Sequence, residues 1–405
     1  MKHGETVMTD RLQQRISKIR LGAAGAALTL AAVLVFGGVT ALSAKARTFT
    51  DLYNFTGGHD GGTPSAGLVR DAKGNLYGTT YWNGSSGWGT VFKVDTKGAE
   101  TVLYNFTGGA DGANPDTGLI RDANGVLYGT TQSGGSANSG TVFKVDTNGT
   151  ETVLYNFAGG ASDGCLPGQG LVRDKAGNFY GTSGGCGAAG KGVVFELSLQ
   201  GKETVLHNFA GGSSDGASPV LGSLLIDKAG NLYGTTEFGG TSGQGVVYKL
   251  GKSGFKVLHS FAGGTTDGCF PFGSVAMDKN GNLYSTTLQC GVSGLGVVWK
   301  LSKQGKLTVL HSFAGAPNDG DTPQAGVTMD ATGNLYGNTA TGGANNYGAV
   351  YGLDSKGKLT LLHSFTGADG QVPLGDLILD KKGNLYGTAT GGGTGGNGTV
   401  WRLKP

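Results

Sequence analysis

One short phrase, Asp-Gly-x-x-Pro, occurs seven times and places an acid at Asp60, Asp111, Asp163, Asp215, Asp267, Asp319 and Asp369. Oxygen-rich turns can hold calcium. They can also close locally, the carboxylate accepting backbone N–H groups of its own turn. A tight ring of seven carboxylates would repel itself without cations. The local turn, with no cofactor, is therefore the expectation, and calcium is the alternative. Four histidines, His207, His259, His311 and His363, stand where other copies of a second phrase have Tyr53, Tyr104 and Tyr155. Equivalent residues of a repeat do not converge on one metal, so they are read as contacts between repeats.

Four cysteines permit three pairings. Cys165 and Cys186 fall in one repeat and Cys269 and Cys290 in another, 21 residues apart each time and at matching places. Bridges within repeats are expected, each worth about 3 kcal/mol in the chain-entropy account. The clustered CxxC spacing of a zinc site is absent. Aromatic residues in Gly-rich segments form a further group: Tyr81, Trp82, Trp88, Phe238, Phe270, Phe272 and Tyr347. Such rings can stack on sugars or anchor a protein partner, or simply pack their own loops. No nucleophile elbow, HExxH or phosphate loop occurs. Glutamate is scarce, and Glu196 and Glu237 are isolated, so no catalytic set is assigned.

The elements that must position these residues follow from the period. The phrase beginning at Asp71, "DAKGNLYGTT", recurs from Asp122, Asp174, Asp227, Asp278, Asp330 and Asp380. The Phe that ends "TVLYNF" and its variants recurs at Phe55, Phe106, Phe157, Phe209, Phe261, Phe313 and Phe365, in steps of 51 or 52. Each copy divides into four short β-rich segments, a to d, separated by turn residues. In the first copy these are "GLVRD", "NLYGTT", "GTVFKV" and "ETVLYNF". Asp-x-x-Gly between a and b reads as a type I turn closed by a left-handed glycine.

Seven such units predict an all-β, seven-bladed β-propeller with four antiparallel strands per blade. A β-solenoid is the rival architecture. The chain begins with a d segment (49–55) and ends with a c segment (398–403), so these two are predicted to pair and close the ring. Closure removes open sheet edges, and a monomer is expected. Long d–a and b–c loops would share one face, where the paired cysteines and the loop aromatics also fall. Phe92, Phe143, Phe195, Tyr248, Trp299, Tyr351 and Trp401 on the c segments read as core. Arg70, Arg121 and Arg173 end three a segments, whereas Ile226, Met277, Met329 and Leu379 end the others. This pattern marks either a basic sector at a channel mouth or an old duplication.

Glycine fills 81 of 405 positions, but in register, as turn residues rather than disorder. Residues 1–46 carry six Lys/Arg and two Asp/Glu; the remainder has 25 against 26, a charge of −1. A near-neutral body argues against nucleic acid. The basic start, the uncharged run from Leu21 to Leu42, and Ala44 and Ala46 make a secretory signal over residues 1–46. Cleavage after Ala46 is expected; uncut, the run could span a bilayer and would be the one link to a membrane. Residues 47–405 form the propeller.

The combined pattern "LYNFTGG.DG..P..GL..D..GNLYGTT..GG....GTVFK" resembles the bacterial GloVer tandem repeat, often described with a choice of anchor, over nearly all of residues 48–403. The resemblance implies an exported, surface-attached repeat protein and no established activity. Pro405 directly follows a strand, so release, the periplasm or N-terminal tethering is expected instead of a C-terminal anchor. "DxxGNLY" is also similar to NHL-type and gluconolactonase-like propellers, whose acidic metal ligands have no residue-by-residue match here. The expectation is an exported, non-catalytic binding or scaffold propeller with a glycan or cell-surface protein as ligand. The alternative is a hydrolase or lactonase working at the central channel.

Overall fold

The computed structural model describes residues 47–404 apart from Gln169, Val220 and Leu221; the expected export signal in residues 1–46 lies outside them. Among the described residues no helix is long and apolar enough to cross a membrane. Seven four-stranded antiparallel sheets follow one another. In blade 1 the strands are a (Val69–Arg70), b (Leu76–Thr80), c (Thr90–Val94) and d (Glu100–Asn105), in that spatial order. Blades 2 to 6 repeat this over residues 120–156, 172–208, 225–260, 276–312 and 328–364. Blade 7 takes a, b and c from 378–404 and d from Thr48–Asn54. Phe49 lies opposite Leu403 and Asn54 opposite Thr399, and Phe55 N donates to Gly398 O at 2.9 Å. The ring is closed as the phase of the sequence predicts.

The repeated Asp-x-x-Gly turn has its physical reason in blade 1. Gly74 adopts φ +97° and its N–H reaches Asp71 O at 3.1 Å. The Asp71 side chain accepts Asn75 N at 2.8 Å and the Tyr77 hydroxyl at 3.2 Å. These hydrogen bonds outweigh the burial that raises the Asp71 carboxyl and hold it below its ordinary value. The second glycine of the phrase answers to packing. A Cβ on Gly78 would lie 2.7 Å from the Phe92 ring, so glycine admits the strand c aromatic.

Those aromatics form the junctions between blades. Phe55, Phe106, Phe157, Phe209, Phe261, Phe313 and Phe365 are fully buried, as are the seven strand c rings. Each Phe meets the strand c ring of the next blade, from 5.0 Å for Phe106–Phe143 to 5.8 Å for Phe365–Trp401. Burying one such side chain contributes about 1.5–3 kcal/mol. Every d strand also carries a β-bulge against its c strand, as between Val91 and Phe92, which sequence reading did not anticipate.

The junctions are of two kinds. Where strand d has tyrosine, its hydroxyl donates to the loop aspartate: Tyr53 to Asp60 at 2.9 Å, Tyr104 to Asp111 at 2.9 Å, Tyr155 to Asp163 at 3.0 Å. The next blade sets a glutamate beside each: Glu100, Glu151 and Glu203. Burial, with the nearby aspartate, pushes each of these carboxyls up to about 7. Where strand d has histidine, Nε2 meets the aspartate instead, at 2.8 Å for His311–Asp319 and 2.9 Å for His363–Asp369. An apolar residue then takes the glutamate's place. Phe255 stacks on His207 at 3.9 Å and Phe49 on His363 at 3.7 Å.

Candidate functional site

The d–a and b–c loops of every repeat pair with each other, as in Gly62 with Trp82 and Gly216 with Gly239. They therefore share one face of the ring. Both disulfides join these loops, Cys165 to Cys186 and Cys269 to Cys290, in the pairing the spacing predicts. The loop aspartates mostly bind their own turns. Asp60 accepts Thr56 N at 2.7 Å and Gly58 N at 3.1 Å; Asp319 accepts Ala314 N at 2.9 Å and Gly320 N at 2.8 Å. Among the described residues no group of three or more His, Cys, Asp or Glu side chains is placed to hold a metal ion.

A strained residue fixes the loop face. The position before each loop proline is left-handed without being glycine: Thr63, Asn114, Leu166, Ser218, Phe270, Thr322 and Val372 have φ between 53° and 58°. β-branched residues rarely adopt this conformation, and it persists only where the surroundings enforce it. Here each N–H reaches back to the preceding blade: Thr63 N to Asn397 O at 2.8 Å, Asn114 N to Trp88 O at 2.9 Å, Val372 N to Tyr347 O at 2.9 Å. Each carbonyl holds the start of its own b–c loop, as Thr63 O does for Tyr81 N at 3.1 Å.

On this frame the loop aromatics separate into three groups. Tyr81, Trp82 and Trp88 lie together in blade 1. The Tyr81 and Trp82 rings meet edge to face at 4.8 Å. Tyr81 is half-buried, its hydroxyl donating to Gln132 at 2.7 Å. Trp82 and Trp88 are 38% and 41% exposed, so part of each ring is open to solvent. Trp88 rests on Gly108 of the next loop, where a Cβ would come within 2.5 Å of the indole nitrogen. Tyr347, 39% exposed, holds the equivalent place over Gly367. Phe238 and Phe270 pair edge to face at 5.7 Å, and Phe272 is half-buried.

The inner strand ends approach closely. A Cβ on Gly326 would lie 2.2 Å from Ser274 O, and one on Gly375 2.5 Å from Ala66. Two carboxylates occupy this narrow hub. Asp376 of blade 7 accepts the Ser274 hydroxyl of blade 5 and Gly326 N of blade 6; burial raises its carboxyl, against these hydrogen bonds. Asp116 accepts the Ser65 hydroxyl from the neighbouring loop. Burial pushes Asp116 up to about 6, with the Ser65 hydrogen bond opposing, and its charge adds to the burial that raises Tyr81. Sequence reading missed both. The available signal was an acid where the other copies have none: Asp376 replaces Gly67, Gly118, Gly170 and Gly326, and Asp116 follows Pro115 where Ser65 follows Pro64.

A sequence model described as the Gloeobacter/Verrucomicrobia repeat matches residues 34–190 and 167–401. No curated protein matches. Among solved structures, a streptogramin B lyase is similar at 12% identity and TM-score 0.60, over 88% of this chain and 97% of that one. A virginiamycin B lyase from Staphylococcus aureus is similar at 13% and 0.57, over 89% and 99%. The extracellular domain of a hybrid two-component system from B. thetaiotaomicron is similar at 10% and 0.58, over 88% and 40%. At these identities the likeness establishes the fold alone.

Proposed function

The chain belongs to the Gloeobacter/Verrucomicrobia repeat family, and from that premise we propose that it is an exported, non-catalytic propeller that binds a glycan on its loop face. Two disulfides support export, since such bonds persist in oxidising compartments. The basic, apolar and small-residue regions of residues 1–46 support it too.

One observation carries the ligand class. Trp82 and Trp88 stand open in one loop, with Asn83 bridged to Trp88 and His59 hydrogen-bonded to Ser85 at 3.1 Å. Apolar ring faces among short polar side chains suit the apolar faces and hydroxyl rims of sugars. A glycan array with the full-length chain tests this, with and without calcium. Saturable binding is expected, weakened at least tenfold by Trp82→Ala with Trp88→Ala. Unchanged affinity in that double variant overturns the site.

A second reading, hydrolysis of a lactone or glycoside at the central channel, draws on Asp116, whose carboxyl burial pushes up to about 6 and which accepts the Ser65 hydroxyl. Turnover abolished by Asp116→Asn would favour it over simple binding.

A further inference from the structure

The opposite face, formed by the tight a–b and c–d turns, carries a feature that the loop-face reading does not use. A depression of about 420 Å³ opens there between blades 7, 1 and 2, lined by Leu68, Val69, Arg70, Arg121, Ile378, Leu379, Asp380 and Lys381. It lies where the arginine-bearing inner strands meet the apolar-ended ones. We propose that this depression binds a small apolar carboxylate, its tail on the inner-strand aliphatic residues and its carboxylate on Arg70 and Arg121.

Both guanidinium groups are held in place by the fold. Arg121 lies over the Tyr77 ring and Arg70 over the Tyr386 ring, each 5.5 Å from the centroid. Each packs on its own turn glycine: a Cβ would lie 2.9 Å from an Arg70 nitrogen at Gly74 and 2.8 Å from an Arg121 nitrogen at Gly125. Held thus, they lose little freedom on meeting an anion. Neither has a hydrogen-bond acceptor among the described residues, and the buried Arg121 Nε has no partner there. Arg173 differs, since its Nε donates to Gly177 O at 3.0 Å and its guanidinium lies 4.0 Å from Asp122.

The charge balance selects the sign of the ligand. Arg70, Arg121 and Lys381 against Asp380 leave a formal +2. The Asp380 carboxylate is already engaged by Asn384 N, Asn384 Nδ2, Lys382 N and the Tyr386 hydroxyl. Paired N–H groups of arginine suit a carboxylate in bidentate geometry. The side chains of Leu68, Val69, Ile378 and Leu379 are aliphatic and offer no hydrogen bonds, so they suit an apolar tail. Occupancy here is independent of the glycan reading.

The test is calorimetric titration of the full-length chain with octanoate, set against acetate, octanol and octyltrimethylammonium. One saturable octanoate site is expected, with the three comparison compounds at least tenfold weaker. Arg121→Gln and Arg70→Gln should each weaken octanoate about tenfold or more. Arg173→Gln, outside the depression, should leave affinity unchanged while reporting any general loss of folding. Octanol binding as tightly as octanoate overturns the proposal, as does octanoate affinity indifferent to both Arg70→Gln and Arg121→Gln. Trp82→Ala with Trp88→Ala leaves octanoate binding intact, which separates this site from the loop face.

Discussion

Three consecutive blade junctions are built on tyrosine and glutamate, and four on histidine and an apolar neighbour. The same substitutions travel together around the ring. Tyrosine junctions carry phenylalanine on strand c, glutamate at the start of strand d and arginine at the end of strand a. Histidine junctions carry Tyr248, Trp299, Tyr351 or Trp401 on strand c, then Phe255, Leu307, Leu359 or Phe49, and Ile226, Met277, Met329 or Leu379. The loop aspartate is common to both. The difference teaches that a blade junction is a cell chosen as a whole. A tyrosine hydroxyl tolerates a carboxyl beside it, whereas the imidazole face takes a flat ring, as in the 1° stack of His207 on Phe255.

The aspartate offers the hardest test of that equivalence. Asp163 accepts Tyr155, Ala158 N and Gly164 N, and Asp319 accepts His311, Ala314 N and Gly320 N. Either change to alanine strips three donors of their acceptor, so each should cost about 3 kcal/mol in denaturant unfolding. Losses differing by more than about 2 kcal/mol would show that the two cells do not share one design.

Acidity should separate the sectors next. Burial and then the neighbouring aspartate push Glu100, Glu151 and Glu203 up to about 7, against an ordinary 4.5. A raised carboxyl leaves the folded state holding more protons, so stability falls as pH rises from 4.5 through 7. Changing all three to glutamine should flatten that fall and stabilise the protein at pH 8. After allowance for solvent around these half-exposed groups, the gain is about 1 kcal/mol per site. A thermal-unfolding series across that window with unchanged slope would remove glutamate as the distinguishing feature.

The smallest expected effect lies on strand c. The Tyr248 hydroxyl is buried without a hydrogen-bond partner among the described residues, unlike the phenylalanines of the other sector. Tyr248→Phe should therefore raise stability by about 1 kcal/mol, read from the denaturation midpoint. A loss instead would mean that the hydroxyl has found a partner.

Much of the architecture was legible in the sequence because each blade repeats the same turn chemistry. Asp71 and Gly74 declare their hairpin wherever they recur, and the unmatched strands at 49–55 and 398–403 announce the closure. The cysteines revealed their pairing through equal placement. What stayed hidden depends on contacts between repeats. Thr63 and Val372 give no local sign of a left-handed backbone, since β-branched residues disfavour it and only the neighbouring blade imposes it. Tyr53 and Asp60 are seven residues apart and join only after the loop folds back. The loop aromatics could be named but not grouped, because Trp88 and Tyr347 hold one equivalent place in two different blades.

The hydrogen bonds from the residues before the loop prolines have a consequence for where the chain can be cut. They run from blade to blade around one face, with Thr63 to Asn397 as the clasp, and form a hoop like that of a barrel. The first and last strands of the ring lie side by side, Thr48 opposite Lys404, where a c–d connection would run and where the hoop does not cross. Relocating the ends to any other c–d connection leaves the hoop whole, while opening a b–c loop severs it. The ring is thus indifferent to which blade comes first, but not to the side on which it is nicked.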